Sequence, residues 1–121
     1  MKADDFVEQF LAPWNAHDLD GAMAQFTEDC FWEFSRGSQP HGALHQGASA
    51  VRVAVSEIFR SIPNVHYQPI HSHHCGDHVI MEILVTGTHR DGTQLNYRAC
   101  DIVLIRGDKV AGKRSYRKAV E

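Results

Sequence analysis

A single carboxylate interrupts an apolar stripe in this chain. Taken every second residue, Leu95, Tyr97, Ala99, Asp101, Val103 and Ile105 form one face of a period-two strand, and Asp101 alone among them is charged. A carboxylate on such a face is costly unless it is paired, hydrogen-bonded or held neutral. The segment that follows, Lys109 to Lys118, returns after a Gly107-Asp108 turn and carries the cations. A two-residue turn sets Asp101 opposite Arg114, and a three-residue loop sets it opposite Lys113. Either way a positive charge is in reach, and two roles stay open: a structural ion pair, or an acid serving a cavity.

The second concentration of chemistry is the string His71-Ser72-His73-His74-Cys75-Gly76-Asp77-His78. His71 and His73 share one strand face and His78 returns across the turn, which are the donors of a metal site. Zinc needs three or four convergent ligands, which two histidines on a strand do not supply. A solvated turn or a polar cluster at a dimer edge is therefore expected, with no metal and no cofactor. Cys30, Cys75 and Cys100 are odd in number and lack CxxC spacing, which argues against a disulfide framework and suits buried thiols in a reducing, cytoplasmic setting.

The elements that must position these groups follow from periodicity. Asp4 and Asp5 are expected to cap a helix with Phe6, Val7, Phe10, Leu11 and Trp14 on its apolar side, bent or ended near Pro13. A short second helix, capped by Asp18, turns Leu19, Met23 and Phe26 inward. A strand at 30–34 precedes a polar loop, Ser35 to Gln46, long enough to form a lid or rim. A third helix runs from Gly47 to about Ser61 on the stripe Val51, Val55, Ile58 and Ile62. Strands are then expected at 65–74, 79–89, 94–105 and 109–117, separated by turn residues. Helices first and an antiparallel meander afterwards make an α+β fold, with one domain over residues 1–121.

Composition narrows the function. The 121 residues are 43% hydrophobic and 22% charged, ordinary for a globular chain. A net charge of −3 and a pI near 6.3 give no footprint for nucleic acid. No apolar run reaches membrane-spanning length, and MKADDFVEQF has acids where a signal peptide needs basic and then apolar residues.

With the elements in this order, WNAHDLDGAMAQFTEDC, HQGASAVR, CDIVLIRGDKV and KRSYRK resemble the nuclear-transport-factor-two-like fold. The likeness is strongest to its ketosteroid isomerase and SnoaL-like polyketide cyclase branches. That resemblance implies a cone: a strongly curved antiparallel sheet wrapped around the N-terminal helices, enclosing one deep apolar pocket, commonly in a homodimer. It places Asp101 where ketosteroid isomerases keep a protonated aspartate that donates to a developing enolate oxygen. The isomerase's oxyanion tyrosine falls on Phe10 and its base on Phe34, neither able to move a proton. The carboxylate that cyclases and related epoxide hydrolases place before the final aromatic residue falls on Ser115, ahead of Tyr116.

The same resemblance gives a pocket lining. Phe10, Trp14, Trp32 and Phe34 are its aromatic walls; His66, Gln68, Leu84, Thr86 and Val103 follow from the strands; Lys113 and Ser115 stand beside Asp101, with Glu82 and Arg117 at its margin. His66 is the candidate general base, because its ordinary pKa lies near neutrality. The implied parity puts His71 and His73 outside, and leaves Met81, Ile83, Val85, Cys100, Ile102 and Leu104 on an outer face too apolar for solvent, hence a homodimer face. Three functions are consistent with this. One is a cofactor-independent isomerase, cyclase or dehydratase moving protons on a small apolar carbonyl or cyclic compound. The others are a ligand-binding or accessory domain, and a protein-interaction module using the outer sheet.

Overall fold

The structure, a computed structural model, describes residues 2–121. Helix α1 (Ala3–Asn15) buries Val7, Phe10, Leu11 and Trp14, the three-and-four spacing expected of it. Asp4 and Asp5 do not cap it; they lie in its first turn, where a negative charge meets the positive end of the helix dipole, and Lys2 holds the cap position. Pro13 lies within the last turn, and the helix stops at Asn15. Asp18 does cap α2 (Leu19–Met23), accepting from the Gly21 N–H at 3.0 Å. Phe26 is inward as expected, but it opens β1 (Phe26–Glu33), which begins before the expected start at Cys30.

The polar segment after β1 is more structured than a loop. It ends in the short strand β2 (Leu44–Gln46), antiparallel to β1. Before that, the Phe34 N–H donates to the Ala43 carbonyl at 2.9 Å, and the Ala43 N–H to Arg36 at 3.0 Å. Helix α3 (Ala48–Ser61) buries Val51, Ala54 and Val55, with Ile58 and Phe59 packed against the core.

The strands β3 (His66–Cys75), β4 (His78–Thr88), β5 (Gln94–Arg106) and β6 (Lys109–Arg117) form the expected antiparallel meander. The sheet order is β2-β1-β6-β5-β4-β3, with β1 parallel to β6 and every other pairing antiparallel. The result is an α+β fold whose curved, unclosed six-stranded sheet packs against the helices.

The register of β4 corrects the expected faces. Val79, Met81, Ile83 and Val85 are 0 to 3% exposed and face inward with Asp101, Ala99 and Tyr97 of β5. Met81, Ile83 and Val85 therefore leave the proposed outer patch, while Cys100, Ile102 and Leu104 stay on it, half-buried beside Ile80, Glu82 and Leu84. β3 follows the same parity, because Tyr67 pairs with Val85. The outward set of β4 mixes Ile80 and Leu84 with Glu82 and Thr86, so alternation within it marks the face weakly, and pairing with β5 fixes it.

Candidate functional site

A β-bulge builds the centre of the site. The hairpin closes on Arg106 opposite Lys109 and Ile105 opposite Val110, and an unbroken ladder would continue to Asp101 opposite Arg114. The register instead slips by one residue, so that Leu104 meets Gly112 and Ala111 is the extra residue. Ser115 consequently lies opposite Asp101, and Lys113 opposite Val103. Neither expected cross-strand pairing to Asp101 holds. The slip turns Lys113 inward and Arg114 outward, where Arg114 lies 3.6 Å from Glu33 and over the Phe31 ring. Lys113 then reaches Asp101 diagonally, Nζ to Oδ2 at 3.5 Å.

This pair is removed from solvent, with Asp101 3% and Lys113 4% exposed. Burial lowers the proton affinity of the Lys113 amine below the ordinary lysine range, and the Asp101 charge opposes that fall. At 3.5 Å the contact is longer than a tight charged hydrogen bond, so the pair is held chiefly by Coulomb attraction in a low-dielectric setting. The ammonium is also cradled by ring faces: Nζ is 4.0 Å from the Trp32 centroid and 4.3 Å from that of Trp14. The Trp32 indole N–H is fixed in turn, donating to the Ser115 Oγ at 2.9 Å.

The pair lines a cavity of about 430 Å³, within the size range of small-molecule sites. Its walls are apolar, from Ile58 of α3 and Ile62 just beyond it, through Ile83 and Val85 of β4, to Leu95 and Ala99 of β5. Two phenols, Tyr67 and Tyr97, add polar groups to this lining. Burial pushes the Tyr67 phenol far above its usual range, and raises Tyr97 against the pull of Arg117. Both hydroxyls are therefore neutral donors at physiological pH. The open end is polar: Arg36 and Arg117 are exposed there, as is Asp91, whose carboxylate lies 3.0 Å from His89 Nδ1.

Of the residues expected in the pocket, Trp32, Phe34, Asp101, Lys113 and Ser115 line it, and Arg117 stands at its opening. Phe10, Trp14 and Val103 are fully buried behind the Lys113 side of the site, as core rather than lining. His66, Gln68, Leu84 and Thr86 lie on the opposite face of the sheet, where His66 pairs with Thr86 and Gln68 with Leu84. His66 is exposed and so does not serve the cavity as a base. Glu82 also points outward, 3.5 Å from Arg98.

The inward members of β3 and β4 were missed, Tyr67, Ile83 and Val85 among them. The signal was present: Val79, Met81, Ile83 and Val85 are uniformly apolar, whereas the alternate set includes Glu82 and Thr86. Tyr97 belonged to the Asp101 stripe from the start. Cys30 is buried as expected, but Cys75 is exposed and Cys100 half-buried. Among the described residues no three His, Cys, Asp or Glu side chains converge on a common metal position, and no helix is long and apolar enough to cross a membrane.

Comparison with known proteins agrees with this fold. Residues 7–112 match the SnoaL-like domain, and the chain belongs to that family. No curated protein matches it. Among solved structures, it is similar to a protein with the ketosteroid isomerase-like fold from Catenulispora acidiphila, solved in complex with trimethylamine (TM-score 0.81, 19% identity, 93% of this chain and 84% of that one). It is also similar to a cystatin-fold protein from Novosphingobium aromaticivorans (0.80, 22%, 97% and 99%). A third is a candidate SnoaL-like polyketide cyclase from Jannaschia sp. CCS1 (0.80, 15%, 96% and 85%). Identities this low establish a shared fold.

Proposed function

We propose that the chain is a cofactor-independent proton-transfer enzyme, of the isomerase, cyclase or dehydratase kind, acting on a small apolar carbonyl compound. The observation that carries this is the buried Asp101–Lys113 pair on the wall of an apolar cavity. A carbonyl oxygen turned toward Lys113 meets a fixed positive charge, which stabilises the negative charge that grows there as an α-proton leaves. The Asp101 carboxylate accepts that proton and returns it to the same or another carbon. Tyr67 and Tyr97 supply neutral donors to polar substituents, and the apolar walls select a substrate with little charge of its own.

The test is deuterium uptake at the α-carbon of an alicyclic ketone in D₂O, followed by NMR. Wild type is compared with Ala99→Phe, which fills the cavity beside an unchanged pair. Uptake in wild type and its loss in the variant is expected. Uptake that survives filling, or that is absent from wild type, overturns the proposal. A binding-only role draws on Phe34 and Ser115, which stand where relatives are expected to carry carboxylates, and it predicts ligand binding with no uptake. An open cavity speaks against an interaction module with a filled interior.

A further inference from the structure

We infer that Lys113 acts covalently, its amine condensing with the carbonyl carbon of an apolar ketone or aldehyde to form an iminium, with Asp101 carrying the protons. This rests on the reading of the cavity as a carbonyl site and deepens it. Three features support it. Lys113 lines the cavity while its side chain is only 5% exposed, and a proton acceptor lies 3.5 Å from its nitrogen. Trp32 and Trp14 present ring faces to that nitrogen at 4.0 and 4.3 Å. An iminium keeps the positive charge on the same atom, so the rings and the carboxylate that stabilise the ammonium stabilise the intermediate as well. Burial also weakens the amine's hold on its proton, which an attacking lysine requires.

The step balances without any other reagent. Asp101 takes one proton from the Lys113 ammonium, and the freed lone pair forms the C–N bond while the carbonyl π pair moves to oxygen. Asp101 returns that proton to the oxygen, then takes a second proton from nitrogen. It delivers the second proton to the hydroxyl, which leaves as water when the C–O bond breaks. The iminium makes the α-hydrogen more acidic, and Asp101, again a carboxylate, removes it.

Wild type is incubated with cyclohexanone or benzaldehyde and sodium cyanoborohydride, which adds hydride to an iminium carbon and fixes it as a secondary amine. Peptide mass spectrometry locates the adduct. The exposed Lys2, Lys109 and Lys118 report non-selective reaction in the same sample. Saturable labelling of Lys113 above those three is expected, together with exchange of the ketone ¹⁸O into water. Lys113→Arg, which keeps the charge and cannot condense, abolishes the ¹⁸O exchange. Ala99→Phe, in which Lys113 is intact, loses the Lys113 adduct. Deuterium uptake without selective Lys113 labelling or ¹⁸O exchange overturns the covalent step and leaves non-covalent proton transfer standing. Absence of uptake, labelling and ¹⁸O exchange together overturns both.

Discussion

Replacing Lys113 by methionine keeps the shape of a long unbranched side chain and deletes its charge, leaving Asp101 buried at 3% exposure without a cation. Removing one partner of a buried pair costs about 3–5 kcal/mol. Urea denaturation of Lys113→Met should therefore show a loss of about 3–5 kcal/mol at pH 7. Adding Asp101→Asn should recover most of the pH 7 loss, since a neutral pair of similar volume is often tolerated. No loss at pH 7, or a loss that Asp101→Asn does not recover, would refute the view that Asp101 is a buried charge held by Lys113.

Three further outcomes test the surrounding structure. Gly42 has φ of +78°, and an added Cβ would strike the Phe34 carbonyl; Gly42→Ala should lose about 1–3 kcal/mol of backbone energy and the cost of that clash besides, read in thermal unfolding. Thiol labelling should modify the exposed Cys75 fastest and Cys100 more slowly; Cys30, buried and with its thiol pKa raised by desolvation, should react only on unfolding. A second copy of the chain is the expected occupant of the outer stripe Ile80, Leu84, Cys100, Ile102 and Leu104, so light scattering after size exclusion should give a dimer mass, and a monomer at micromolar concentration would exclude it.

What could be read from the sequence divides along physical lines. The helices were legible because each is apolar on one side only: Val7, Phe10, Leu11 and Trp14 repeat at helical spacing, and so do Val51 and Val55. The β5 stripe was legible for a related reason, since Arg98 and Asn96 mark its solvent side and leave Asp101 inside. β4 carries no such mark at every position, and one wrong parity there moved His66, Gln68, Leu84 and Thr86 into a pocket they do not touch. The partner of Asp101 depended on a bulge that pattern alone does not show. Its one signal was Gly112 inside a strand, a residue type that often marks a bulge or a close approach; the Phe31 ring occupies the space where a Cβ would stand. Lys113 was a candidate for the wrong geometric reason, and the slip at Ala111 is what brings it to Asp101.

The proposed reaction requires Asp101 to move a substrate proton inside the cavity. It is tested most directly by the rate of α-deuterium uptake into an alicyclic ketone with Asp101→Asn, measured under conditions where circular dichroism shows the variant folded. General acid–base groups contribute about 10²–10⁴-fold, so the variant should fall at least about 100-fold below wild type, toward the buffer rate. A rate equal to that of wild type would contradict the account.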